Sequence, residues 1–384
     1  MSTTDILRDL IAFPTVSVNP NRDLIDYCAG ILEGIGAEVT IIEDETGTKA
    51  NLYATIGPRD RPGVLLSGHT DVVPIDGQDW TVPAFELTEA DGKLYGRGTA
   101  DMKGFVASAL NAAIDASKRD IQTPLHLALS YDEELGCVGV HSMIDMLAAA
   151  PFRPMFCIVG EPTLLSVATG HKGKTGCQAV CKGREGHSAL APFALNAIYL
   201  ANDLILAIRD LQVDVIETCG HDDGYDVPYT TLHVGVIQGG VALNIVPNVC
   251  TFRFEIRNIV EDDPEPILDR ICAAAAEIVA KARAEFPEAD IEIEVTNRYP
   301  SLGTPENAEV VSFVKSLSGS NGTMKVAFGT EGGLFDQKLG VPTVVCGPGS
   351  MMQGHKPDEF VSVEQLAKCD EMLTKLVERL EAGI

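Results

Sequence analysis

Residues 64–71 read Val-Leu-Leu-Ser-Gly-His-Thr-Asp. Three large apolar side chains in succession are followed at once by an imidazole and a carboxylate on small polar neighbours. A short continuous apolar run of this kind fits a strand buried on both faces, and such strands belong to parallel sheets covered by helices. The texture recurs along the chain. Leu125-His126-Leu127-Ala128-Leu129 precedes Asp132-Glu133-Glu134, and Phe156-Cys157-Ile158-Val159 precedes Gly160-Glu161-Pro162-Thr163. Pro342-Thr343-Val344-Val345-Cys346 precedes Gly354-His355-Lys356-Pro357-Asp358-Glu359. Helical spacing of apolar residues predicts helices over 4–13, 103–118, 138–149 and 363–380. Strands alternating with helices imply an α/β fold with a mainly parallel sheet covered on both faces.

The middle of the chain has another rhythm. Strands are expected at 175–183, 231–238, 249–258 and 291–296, with helices at 193–211 and 263–285. Strand, helix, strand, strand, helix, strand is the split βαβ order of a ferredoxin-like α+β unit. The simplest organisation inserts that unit, residues 175–296, into a larger domain made of 1–174 and 297–384.

Composition bounds the function. The chain has 384 residues, 45 % hydrophobic and 22 % charged, enough for two globular cores. Its formal net charge of −26 argues against nucleic-acid binding. Such a surface could steer a cationic ligand, or simply keep the protein soluble. No apolar run is long enough to span a bilayer. The ten cysteines are scattered without a CxxC pair and read as reduced and mostly buried. The first residues lack a charged and apolar signal segment, so the chain reads as cytoplasmic.

Ligand sites in open α/β sheets lie at the carboxyl ends of the strands. His69, Asp71, Asp101, Glu133, Glu134, Glu161 and His355 all fall in segments expected there. Taken singly, each has an ordinary explanation: a structural histidine, a solvated acidic turn, or a helix N-cap at Asp101. Taken together, imidazoles and carboxylates form a donor set that suits zinc.

The segments LSGHTDVVP (66–74), GRGTADMKG (96–104), SYDEELG (130–136), VGEPT (159–163) and GHKPDEF (354–360) resemble those of the zinc aminoacylase and carboxypeptidase family of di-metal hydrolases. The likeness covers nearly the whole chain and is strongest to the family's acetylornithine deacetylase and succinyl-diaminopimelate desuccinylase branch. It implies two Zn2+ ions, with Co2+ or Mn2+ as substitutes. His69, Asp101 and Glu161 would hold one ion; Glu134 and His355 would hold the other, with Asp101 shared. Glu133 would be the general base and Asp71 would orient His69. A cis peptide is implied between Asp101 and Met102.

The resemblance also extends to the insert. His187 would stabilise the oxyanion in the active site of a partner subunit, which requires a homodimer; without the family it is a loop histidine. Arg257 ends the alternating strand and would grip a substrate carboxylate, or else belongs to a solvated face. Asn244 matches a residue near the same pocket. Thr330, in GTEGGLFDQ (329–337), matches a substrate-lining loop or is part of a plain turn. One departure is Ala194-Leu195-Asn196-Ala197, where the family often has a glycine before Asn-Ala.

The expected activity is hydrolysis of a small N-acyl amino acid, N2-acetyl-L-ornithine first, within arginine biosynthesis. The alternatives are a succinyl-diaminopimelate desuccinylase, a broader N-acyl-amino-acid hydrolase or dipeptidase, and a binding protein on the same scaffold.

Overall fold

The computed structural model describes residues 1–384 and divides them into two compact units. Met1–His171 with Leu302–Ile384 forms the first, and Lys172–Ser301 the second.

The first unit is built on the apolar runs. Every residue of Val64–His69, Leu125–Ser130, Phe156–Pro162 and Thr343–Gly347 is buried. Val64–His69 pairs in parallel with Leu125–Ser130 on one side and Phe156–Pro162 on the other. Phe156–Pro162 pairs in parallel with Thr343–Gly347. These four strands point the same way, so the chain leaves all of them at one edge.

Antiparallel strands flank this parallel centre. Ala50–Ile56 and Glu38–Glu43 extend it on one side. Val167–His171 extends it on the other, pairing with Thr343–Gly347, Leu302–Gly303 and Thr323–Val326. Sequence patterning missed the two N-terminal strands: Glu38–Glu43 is partly exposed, and Ala50–Ile56, though largely buried, has its apolar run interrupted by Asn51 and Thr55. It also missed helices Arg22–Gly34, Glu309–Ser318 and Gly332–Leu339.

Helix Lys103–Ala116 has a core role. It is rich in Ala, and its residues are buried nearly all round. Helices Thr3–Ile11 and Val363–Ala382 pack on it. Ser2 and Asp5 form a capping box on the first, and Ser362 caps the last. The helix expected at 138–149 is shorter, His141–Ala149. Gly136 and Cys137 take positive φ angles of 102° and 58°, which holds the preceding residues in a turn.

The second unit is a four-stranded antiparallel sheet in the order Thr231–Gly239, Val249–Arg257, Lys174–Lys182, Asp290–Tyr299. Helices Ala197–Thr218 and Pro264–Arg283 cover one face. Cys250, Phe252, Phe254 and Ile256 meet Leu200, Leu204, Ile208, Ile267 and Ile271 in its core. The first helix starts later than the apolar spacing suggests, because Pro192 lies in a separate 3-10 turn, Ser188–Phe193. Asn196 then caps it, its side chain accepting from the Ile198 N–H, and Leu195 bridges to Arg184. The changed Ala194–Ala197 stretch therefore serves helix initiation and local packing.

No helix is long and apolar enough to cross a membrane. All ten cysteines are free, and eight are buried.

One close approach decides how helix and sheet meet. A Cβ on Gly160 would lie 1.9 Å from the Phe105 ring. Gly160→Ala must displace that ring or the strand, at about 1–3 kcal/mol. Thermal unfolding of the metal-free protein should show a midpoint several degrees lower; an unchanged midpoint would mean that Phe105 has room to move.

Candidate metal centre

The loops leaving the parallel strands bring a dense set of donors together in the first unit. His69 is the last residue of its strand and is 1 % exposed. Its Nδ1 lies 2.9 Å from the backbone carbonyl of Asp71, so that nitrogen carries the proton and donates. Its Nε2 is thereby turned toward Asp101 Oδ1 at 3.1 Å and Glu161 Oε1 at 3.6 Å. Fixing one ring nitrogen to free the other is how a ligand histidine is oriented.

Asp101 follows the tight Gly96–Ala100 turn, and the Asp101–Met102 peptide is cis. Its second oxygen, Oδ2, lies 3.1 Å from His355 Nε2, so one carboxylate spans two imidazoles. His355 Nε2 is also 3.1 Å from Glu134 Oε2. Two overlapping groups have donor atoms within 4.8 Å of one another: His69 with Glu133 and Glu161, and His69 with Asp101 and Glu134.

Asp71 ties the pieces together. Its Oδ1 accepts the Glu133 N–H at 3.1 Å, and its Oδ2 accepts the Glu134 N–H at 3.2 Å and the Ser17 hydroxyl at 2.7 Å. It thus touches the imidazole's strand end and the acidic turn at once. Asp132, just before that turn, has φ 53° and pairs with Lys49 at 2.5 Å. Glu133 Oε1 accepts the Cys137 thiol at 3.3 Å.

The electrostatics show what the centre requires. Burial pushes Glu133 and Glu161 well above the usual carboxylate range, and neighbouring carboxylates add to the effect. Burial lifts Glu134 to about 7. For Asp101 burial opposes the charge, but hydrogen bonds from His355 and His69 win and hold it low. His355 is raised to about 10 by its bonds to Asp101 and Glu134. For His69, too, burial is outweighed, by Asp101 and Asp71. Glu161 Oε2 is buried without a hydrogen-bond partner. Such crowding needs protons or a cation, and the imidazole and carboxylate donors fit divalent metal of the zinc type.

Thr330 is buried, and its Oγ1 accepts the Gly332 N–H at 2.9 Å at the start of helix Gly332–Leu339. Its neighbour Glu331 went unremarked in the sequence. It is 1 % exposed, accepts the Ser67 hydroxyl at 3.2 Å, and is raised to about 7 by burial. The only signal was its place in GTEGGLFDQ.

The other three candidates belong to the second unit. Arg257 ends its strand, half-buried, with Nε on Glu255 at 3.0 Å and Nη1 on the Tyr299 hydroxyl at 2.7 Å. His187 is exposed, and its Nδ1 accepts the Ala189 N–H at 3.1 Å. A neutral ring therefore carries its proton on Nε2, ready to donate. Asn244 is exposed too, and its carbonyl accepts the Ser188 N–H at 3.0 Å, so the two segments lie side by side.

Comparisons with known proteins bear on the family and the fold. The family described as Peptidase family M20/M25/M40 matches residues 65–379. An acetylornithine deacetylase from Myxococcus xanthus is 38 % identical over 382 residues, covering 98 % of this chain and 97 % of that protein. Among solved structures, an M20-family metallo-carboxypeptidase from Sulfolobus solfataricus superposes with a TM-score of 0.81 at 18 % identity, covering all of both chains. A dinuclear metal-binding peptidase of family M20 from Bacillus subtilis gives 0.68 at 15 % identity, covering 98 % of this chain and 96 % of that one. At those identities the structural likeness concerns the fold.

Asp71→Ala removes the acceptor shared by both glutamate amides. Metal affinity should fall by about 10–100-fold, read by equilibrium dialysis against Zn2+. Wild-type affinity would show that the acidic turn holds its shape without Asp71.

Proposed function

Because the chain belongs to peptidase family M20/M25/M40 and is a metallohydrolase acting on amide bonds, we propose that it removes the acetyl group from N2-acetyl-L-ornithine, releasing L-ornithine and acetate. The observation that carries this reading is one carboxylate, Asp101, lying within 3.1 Å of two imidazoles with the acidic pair Glu133-Glu134 beside it. The near full-length 38 % identity to a deacetylase of that substrate supports the choice of amide.

In this reading His69, Asp101 and Glu161 would hold one ion, and Asp101, Glu134 and His355 the other. Zn2+ is the default from the donor set, and Co2+ or Mn2+ can substitute. When bound, the two ions would acidify the attacking water and polarise the scissile carbonyl.

The remaining work falls to the chain. Glu133 takes a proton as water adds to the acetyl carbon. It then passes that proton to the leaving α-nitrogen as the C–N bond breaks. Asp71 keeps Glu133 and Glu134 at their posts through the two backbone amides. His187 donates from Nε2 to the oxyanion, acting on a partner subunit's site in a homodimer. In the second unit Arg257, with Asn244, would receive the substrate carboxylate; in the first, the Thr330 loop would line the substrate pocket. The setting is a cytoplasmic enzyme of arginine biosynthesis.

The test is amine release from N-acetyl-ornithine, N-succinyl-diaminopimelate, N-acetyl-methionine and a dipeptide by the zinc-loaded protein. Preference for N-acetyl-ornithine is expected, and preference for another member reassigns the substrate within the family. Glu133→Gln should lower turnover by about 100- to 10,000-fold while leaving the bound metal unchanged. His187→Ala should also cut turnover sharply at unchanged metal content, and normal turnover in that variant would remove His187 from the chemistry.

A further inference from the structure

Two loops meet near the more exposed end of the metal centre, and the contacts between them are unusually specific. One carries Gln78, Trp80 and Thr81. The other carries His355, Asp358 and Glu359. His355 and Asp358 both have positive φ angles, 61° and 53°, in a segment of non-glycine residues. Backbone of that kind persists only where the surroundings impose it.

The imposing groups can be named. Glu359 is 1 % exposed, and its Oε1 accepts the Ala100 N–H at 2.9 Å and the Asp101 N–H at 3.0 Å. Its Oε2 takes Arg97 Nη1 at 2.6 Å, with both side chains buried. Arg97 Nη2 reaches Gln78 Oε1, also at 2.6 Å, and its guanidinium lies over the Trp80 ring at 5.0 Å. Gln78 Oε1 accepts the Trp80 indole N–H at 3.0 Å as well. The amide's other end, Gln78 Nε2, donates to the backbone carbonyl of His355 at 3.0 Å. Asp358 is gripped in parallel by the Thr81 N–H and hydroxyl, each at 2.8 Å.

An unbroken polar chain therefore runs from the Asp101 amide through Glu359, Arg97 and Gln78 to the His355 carbonyl. It begins and ends on residues that both approach one another through their side chains. His355 needs this support most, since its side chain is 48 % exposed and little packing holds it. Gln78 has no atom in the donor cluster.

We propose that Gln78 is a positioning residue for the ion held by Asp101, Glu134 and His355, setting the reach of His355 through its carbonyl. The inference rests on the metal-site assignment made above. It makes the affinity of one ion depend on a loop that supplies none of its ligands. It also divides the centre: the His69–Glu161 side is fixed by the buried strands, and the His355 side by this relay.

The experiment is stepwise Zn2+ binding by isothermal titration to the full-length metal-free protein, with metal content per chain read independently. Wild type should bind two ions, and fewer would overturn the metal-site assignment itself. His355→Ala identifies which binding step belongs to the His355 side. Gln78→Met keeps the side-chain length without hydrogen bonds, and it should weaken that same step by about 10-fold or more while leaving the other unchanged. Gln78→Glu retains an acceptor for Arg97 and Trp80 but cannot donate to His355, so it should weaken the step as Met does. Because Gln78 is only half-buried, both variants are expected to fold like wild type. Two ions bound with wild-type affinity in Gln78→Met would overturn the proposal, as would equal weakening of both steps. A wild-type response in Gln78→Glu would overturn it too, because the bond to the His355 carbonyl would then be dispensable.

Discussion

The arrangement depends on one electrostatic constraint: several carboxylates are confined at the carboxyl edge of a sheet whose strands are buried on both faces. Asp101, Glu161 and Glu331 are almost fully buried, and Glu133 and Glu134 stand against them. Two imidazoles do not neutralise that many acids. Charges withdrawn from water must be paired or protonated. Much of the surrounding structure answers this demand. Backbone amides of Glu133 and Glu134 are spent on Asp71, and those of Ala100 and Asp101 on Glu359. Hydrogen bonds of this type favour the ionised form of Asp71 and Glu359, and they hold the turns that carry Glu133, Glu134 and Asp101 in place.

The two units meet different physical problems. In the first, a parallel sheet exposes no face, so specificity of position comes from strand ends and from small residues such as Gly160 that admit Phe105. In the second, the antiparallel sheet has one face packed by helices. The side chains alternating away from that core, Arg253, Glu255 and Arg257, are free to carry charge. Arg257 is nevertheless held in a defined pose by Glu255 and Tyr299. An arginine restrained in this way loses little freedom on engaging a planar anion.

Much of this was legible in the residues. The buried strands announced themselves as unbroken apolar runs, and the acids and histidines stood directly after them. Their convergence then follows from parallel pairing, because parallel strands deliver their carboxyl ends to one edge. The family resemblance supplied the division of roles among His69, Asp101, Glu133, Glu134, Glu161 and His355, which spacing alone left open. Other features were hidden for physical reasons. The flanking strand Glu38–Glu43 is partly solvated, and the largely buried Ala50–Ile56 carries Asn51 and Thr55 in place of a clean apolar run. Glu331 and Arg97 are ordinary surface residues by type, and only tertiary burial reveals them. The Gln78 relay joins segments distant in the chain, which no local pattern encodes.

The strand order has a consequence for synthesis. Thr343–Gly347 occupies the slot between Phe156–Pro162 and Val167–His171. Those two neighbours are made early, the insert follows, and the strand that separates them is made near the end. A nascent chain emerging from the ribosome can therefore complete its second unit while the first still has a vacant groove in its sheet. Domains made early fold as units during translation, and unpaired strand edges invite wrong partners. His355 leaves the ribosome after that last central strand, so the nascent protein acquires most of its acidic donors long before the residue that completes them.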